Sequence, residues 1–404
     1  MAVSSSQTAA PFRLSMLLYD RRFRSTTIQV VALLALLIAL SWLVGNAVEN
    51  LEKLGKTFDF GFLWTTSNYN IEPQLIAYSS TSTHFRAAVV GLLNTLAVAI
   101  PGWFLATFIG VIIGVLRLSK SWITARLMTV YIEVLRNVPV VIWLIVLYGI
   151  VTLITPQPSE FRGENPTASM ILGSFAITNR GTYLPAPVFG DGSLLVAATF
   201  VLSIVGMFFF SRWSKRRQEA TGKILPNFWI LLGILIVPAF LMDLVMGKAV
   251  SLEFPALTGF NFKGGLQLPN SYLALLIGLS VYTSSYIAEN VRAGVQAISR
   301  GQTEAAYSLG LRPGRTMNLV ILPQALRIIV PPLISQWLNL TKNTSLGIFV
   351  TYTELKATLG GITMNQTGRE LECNFLMMGI YLTISLLISA LLNLYNRAVR
   401  LKER

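Results

Sequence analysis

The sequence predicts an all-α integral membrane protein with eight transmembrane helices, and three observations carry that prediction. Of 404 residues, 53% are hydrophobic and only 12% are charged, against about 25% charged in a soluble domain; the mean hydropathy is +0.60. Several apolar runs reach the roughly 20 residues that a hydrocarbon core of about 30 Å requires. The net charge of +14 would suggest nucleic acid in a soluble chain. In a membrane protein it is the basic excess that cytoplasmic loops accumulate, so it argues for orientation in a lipid bilayer and against a nucleic-acid partner.

The first run, 28–47, begins late and lacks a small-residue cleavage site, so it reads as a retained anchor and not as a signal peptide. The second and third, 87–116 and 127–154, are near 30 residues long. They suit tilted helices that project into the cytoplasm, a kink at Pro101 in the second, or, less simply, two short hairpins. Runs four and five, 194–210 and 228–244, are joined by a basic stretch from Arg212 to Lys223. Run six covers 272–295, run seven 328–352 and run eight 375–394.

With eight spans and a cytoplasmic N-terminus, 20 of the 32 Lys and Arg lie on the cytoplasmic side and nine on the other. An odd number of spans would put one basic terminus on the wrong face. Both termini are therefore expected in the cytoplasm of a multi-pass inner-membrane protein. The outer loops 155–193 and 247–271 are rich in Gly, Pro, Ser and Thr and neither is long enough for a folded domain. Most cytoplasmic segments are short as well, so any energy-converting domain must be another chain. A single cysteine, Cys373, and a single histidine, His84, leave no intrachain disulfide and no Cys/His zinc cluster.

The longest cytoplasmic connection inside the bundle is 299–327. Thr303 can cap a short helix, Glu304 then falls in the first turn where the dipole favours a carboxylate, and Gly310 can end it in the left-handed conformation. Ala305 and Ala306 keep one face small enough for another protein to approach, and Arg312-Pro313-Gly314-Arg315 makes a stiff basic turn beyond. Glu304-Ala305-Ala306, Gly310 after three residues and Leu322-Pro323 after eleven more resemble the EAA loop of ABC-importer permeases, with Val320 where that family usually has Ile. The resemblance implies a coupling helix that inserts into a separate ATPase subunit. Gly314-Arg315-Thr316 superficially suggests the end of a Walker A loop, but it has Arg for Lys and no glycine five residues before Gly314. No cofactor is expected in this chain; ATP and Mg belong to the partner.

Two further stretches, Tyr131-Ile132-Glu133-Val134-Leu135-Arg136-Asn137-Val138-Pro139 and Tyr286-Ile287-Ala288-Glu289-Asn290-Val291-Arg292-Ala293-Gly294, resemble the polar amino-acid branch of those permeases, the histidine/glutamine type. The resemblance implies a five-helix type I ABC-importer core made of runs two, three, six, seven and eight. One N-terminal helix and two inserted helices are additions to it. The chain then divides into 1–86, the first part of the core 87–154, an insertion 155–271, and the second part of the core 272–404. The extra N-terminal span, the insertion and the Leu17-Leu18-Tyr19-Asp20 segment are similar to the Q-type permease subunits of general L-amino-acid systems. Such a subunit works with an ABC ATPase, a second permease of the same family, and a periplasmic amino-acid-binding protein, and carries L-amino acids.

Ionisable groups inside the bilayer face a bundle interior or a cavity. Glu133 with Arg136, and Glu289 with Arg292, stand three residues apart and can neutralise each other, or can line a substrate path. Asp243, near the outer end of run five, can snorkel to the interface. In run seven, Pro331 and Pro332 should interrupt the helix, and Asn339, Thr341, Lys342, Asn343, Thr344 and Ser345 form a polar stretch. Broken helices offer free backbone groups to a zwitterion. Lys342 can meet its carboxylate, or instead pair with Glu289 or Glu354. An ion-coupled secondary amino-acid transporter using Asp243 and Glu289, or a membrane scaffold, would share the hydropathy; neither accounts for the loop 299–327.

Overall fold

A computed structural model describes residues 21–53, 55, 58–163, 165–222 and 225–399. Arg13, the Leu17 to Asp20 segment, Lys223 and the last five residues lie outside these. Among the described residues seven helices are long and apolar enough to cross a membrane, and counting one bent pair as a single span brings the number to the eight that the hydropathy predicts. The first, α1 (Arg21–Lys53), is exposed along its apolar length. A helix satisfies its backbone internally, so such a surface is stable in lipid.

The core is built on α2 (His84–Arg117). Thr83 caps its start by accepting from the Arg86 N–H at 3.3 Å, and it runs through Pro101 without a break. Gly102, Ala106, Gly110 and Gly114 recur every fourth residue along α2, which places them on one face. A Cβ at Gly110 would lie 2.7 Å from the Ile287 Cβ, and one at Gly114 would lie 2.8 Å from the Ala288 carbonyl. The backbones of α2 and the sixth span therefore meet directly, the small-residue packing that replaces hydrophobic association in lipid.

The third run departs from the straight tilted helix expected of it. It forms α3 (Trp122–Asn137) and α4 (Val140–Ile154), bent by 102°. Val138, at φ −107° and ψ 132°, is extended, because the ring of the following proline disfavours a helical residue before it. Pro139 is then the N-cap of α4, just outside the helix, where its missing N–H removes no intrahelical bond.

Between α4 and the sixth span the loops 155–193 and 247–271 hold more order than their composition suggests. Seven short strands, β1 (Ala176–Thr178), β2 (Gly181–Leu184), β3 (Ala186–Phe189), β4 (Val250–Glu253), β5 (Ala256–Thr258), β6 (Asn261–Lys263) and β7 (Leu266–Leu268), pair antiparallel as β1-β2-β7, β3-β4 and β5-β6. The loops on either side of the inserted helices α5 (Ser193–Thr221) and α6 (Asn227–Val245) thus pair with each other, with Leu184 opposite Leu266 and Pro187 opposite Leu252. Tyr183 of β2 and Phe262 of β6 are buried together in a small core between these strands. The Tyr183 hydroxyl donates to Asn261 Oδ1 at 3.0 Å, and burial raises its pKa above the usual phenol value. Asp243 does not simply snorkel: its Oδ1 accepts from the Val250 N–H at 2.8 Å and anchors β4.

The sixth span, α7 (Asn270–Gln296), is the most enclosed helix of the bundle. The short helix α8 (Arg300–Ser308) follows, then α9 (Pro313–Thr316), a π turn at Met317–Ile321, and α10 (Leu322–Asn343). Contrary to expectation, α10 passes intact through Pro331 and Pro332. Its α-helical geometry ends at Asn343, tightens to a 3₁₀ turn over Thr344–Val350, and the chain reverses at Thr351 with φ +59°. Trp103 and Trp337 stack at 5.6 Å and lock α10 to α2, Trp103 Nε1 donating to the Trp337 carbonyl and Trp337 Nε1 to Thr107 Oγ1, each at 3.0 Å. Beyond the reversal lie α11 (Leu355–Ala357), a π turn, α12 (Met364–Thr367) and the last span, α13 (Glu370–Val399).

Candidate functional site

Two places carry candidate functional residues: the helix α8 and a cavity beside the end of α10. Ser299, not Thr303, occupies the N-cap of α8, so Glu304 is the fifth helical residue and lies beyond the first turn. The dipole argument for Glu304 therefore fails, because it falls off within one turn. The other end is as expected. Gly310 sits at φ +74°, its N–H donates to the Tyr307 carbonyl at 2.9 Å, and the Leu311 N–H donates to the Ala306 carbonyl at 3.1 Å, the paired bonds of a Schellman stop. Ala305 and Glu304 face solvent and Leu309 is 81% exposed, whereas Ala306 is only 3% exposed and packs inward. The outward surface is therefore Glu304, Ala305, Tyr307 and Leu309. Leu322 and Pro323 open α10, and Gln324 Nε2 donates to Gln302 Oε1 at 3.2 Å across the loop.

Within the bundle the charged residues do not all pair as their spacing suggests. Glu289 does bind Arg292, whose Nε donates to its Oε1 at 3.2 Å, and it also forms an ion pair with Arg117 at the end of α2. Glu133 and Arg136 are not paired. Glu133 Oε2 accepts from Asn137 Nδ2 at 3.3 Å, and the Arg136 guanidinium lies 4.9 Å from the centre of the Tyr286 ring, where the aromatic face offers a cation–π contact. Arg117 and Tyr286 come from other helices, so the spacing along one helix could not reveal them.

The polar stretch of run seven splits between two faces. Thr341 and Thr344 are buried, and their hydroxyls donate to the Trp337 and Thr341 carbonyls at 2.8 and 2.7 Å. Asn339 and Lys342 are exposed, and Asn343 and Ser345 are half-buried. Lys342 and Ser345 line a cavity of about 410 Å³ together with Lys356, Met377 and Tyr381. Neither expected partner of Lys342 is open to it. Glu289 is held by two arginines. Glu354 is fully buried, its Oε2 accepting from the Lys356 N–H and the Tyr381 hydroxyl and its Oε1 from the Ala357 N–H, each at 2.9 Å. Lys356 and Tyr381 were missed by sequence reasoning, which places Lys356 in an outer loop and Tyr381 in a plain span. Among the described residues no group of His, Cys, Asp and Glu could hold a metal ion.

Residues 220–401 match the family described as binding-protein-dependent transport system inner membrane component. The chain is 55% identical to the glutamate/glutamine/aspartate/asparagine transport system permease protein BztB of Rhodobacter capsulatus, over 100% of both chains. It is 39% identical to the general L-amino acid transport system permease protein AapQ of Rhizobium johnstonii, over 98% of this chain and 97% of that one. It is 40% identical to the putative amino-acid ABC transporter permease YhdX of Escherichia coli K12, over 94% and 95%. Full-length identity at this level, on a bundle of long apolar helices, shows that the chain belongs to the amino-acid permeases of ABC transporters.

Proposed function

We propose that this chain is one translocation subunit of an ATP-driven importer that moves L-amino acids across the bacterial inner membrane by alternating access. Its partners are a separate ABC ATPase that binds ATP and Mg, a second permease of the same family, and a periplasmic binding protein. The names of its relatives, which specify glutamate, glutamine, aspartate, asparagine or L-amino acids in general, support the substrate class. Both termini face the cytoplasm, as the 20 cytoplasmic Lys and Arg favour. The chain divides into 1–86, 87–154, 155–271 and 272–404.

The observation that carries the coupling role is the surface of α8. A short helix with a closed C-terminus presents Leu309 and Tyr307 to solvent beside Glu304 and Ala305, the exposed apolar contact that a partner protein would cover. Lys342, Asn339, Asn343, Thr344 and Ser345 mark the substrate path, while the Glu289–Arg292–Arg117 cluster and Glu133 and Arg136 flank its cytoplasmic half. Cysteines at Ala305 or Leu309 should crosslink to the ATPase subunit, and one at the buried Ala306 should not. An absence of crosslinks at both exposed positions, in a complex that still assembles and transports, removes the docking assignment.

A further inference from the structure

We infer that the cavity beside the end of α10 is a two-cation subsite that selects amino acids bearing a second carboxylate, Lys342 receiving one carboxylate and Lys356 the other. The inference rests on the substrate path proposed above and adds a specificity-determining residue, Lys356. The two lysines reach the same space from different elements, Lys342 from the last turn of α10 and Lys356 from the turn α11. The space is an open cleft past the exposed Met378 and Leu382, and its volume of about 410 Å³ and its lining of apolar side chains with a few polar groups fall in the range of small-molecule sites.

Charge decides what the cavity takes. Neither lysine side chain has an ion-pair partner among the described residues. Lys342 lies in a membrane-spanning helix, where an unpaired ammonium is costly and marks a ligand path or a partner contact. Glu354, the carboxylate beside Lys356, is buried with three donors on its two oxygens, and counting it against the two lysines still leaves one positive charge in excess. A neutral zwitterion does not balance that excess, and a basic amino acid adds to it. An amino acid with an acidic side chain carries a net charge of −1 and cancels it. Its ammonium has an acceptor: the Ser345 hydroxyl, which lines the cavity, donates its proton to the Lys342 carbonyl at 2.7 Å and so is left with oxygen lone pairs to accept. The backbone N–H of Lys356 is fixed by Glu354 at 2.9 Å, so exchanging its side chain leaves this turn in place.

The test uses the complete importer in liposomes, with saturating binding protein, and compares uptake of labelled glutamate with labelled glutamine. A hydrogen bond to a charged group is worth about 1.5–3 kcal/mol, so Lys356→Met should lower glutamate uptake at least about tenfold more than glutamine uptake, and Lys356→Arg should restore the ratio. Lys342→Met, which removes the cation for the carboxylate common to both, should lower both. Because the readout is a ratio within one preparation, it does not depend on how much of a variant reaches the membrane. An unchanged ratio in Lys356→Met, including the equal loss expected if Lys356 pairs with a carboxylate of the second permease, overturns the subsite. Unchanged uptake of both substrates in Lys342→Met overturns the path itself.

Discussion

Replacing Gly310 tests the α8 coupling role by backbone geometry alone. A Cβ at Gly310 would meet nothing within 4 Å, so a larger side chain is not rejected by volume. The cost is conformational. An L-residue at φ +74° loses roughly 1–2 kcal/mol, with a β-branched residue at the upper end or beyond and Asn the least affected. If the chain escapes by leaving the left-handed region, it forfeits the bonds from Gly310 to Tyr307 and from Leu311 to Ala306, each worth about 0.5–1.5 kcal/mol. A penalty of 1–2 kcal/mol changes a population by a factor of about 5 to 30. ATP hydrolysis stimulated by loaded binding protein, and uptake in the same vesicles, should therefore fall by about that factor in Gly310→Val, less in Gly310→Ala, and little in Gly310→Asn, with normal membrane levels throughout. An order that follows side-chain volume, with Asn worse than Ala, would show that contact and not backbone sets the effect. Wild-type coupling in Gly310→Val would refute the docking role of this turn.

Gly110→Leu should displace α2 from α7, since even its Cβ falls within 2.7 Å of Ile287; overpacking of about 1–3 kcal/mol should appear as a lower melting temperature in detergent and a reduced membrane level, and an unchanged melting temperature would contradict the close approach. Glu289→Gln should remove the carboxylate shared by Arg117 and Arg292 and lower stability by about 1–3 kcal/mol. Combining it with Arg117→Met should recover part of that loss in a double-mutant cycle, and strict additivity would show that the two residues do not interact.

Most of the bundle was legible because hydropathy reports what a helix surface faces, and seven helices are long and uniform enough to show it. Direction along the chain was less visible. Pro101, Pro331 and Pro332 sit inside intact core helices, whereas Pro139 marks a 102° bend. Hydropathy is the same on either side of such a bend, and packing against neighbouring helices decides which proline is accommodated. The stop of α8 was legible because few residues other than glycine adopt the left-handed conformation its C-terminus needs. Its start was misplaced because Ser299 and Thr303 are both competent caps. Side-chain partners were the least visible: Glu289 with Arg117 and Arg136 with Tyr286 are cross-helix contacts. Strands of three or four residues whose partners lie some 80 positions away leave no periodic trace.

The pairing of β2 with β7 also bears on how the chain is wired. The polypeptide leaves at Leu184, passes through β3, the helix pair and β4 to β6, and returns at Leu266 directly opposite its point of departure. Neighbouring strands lie about 4.8 Å apart, close enough for a tight turn to join them. Everything between is a detour that begins and ends at one spot, which is the geometry that lets a segment be gained or lost without rerouting the remainder. On that wiring, permeases with and without the detour can share one helical core.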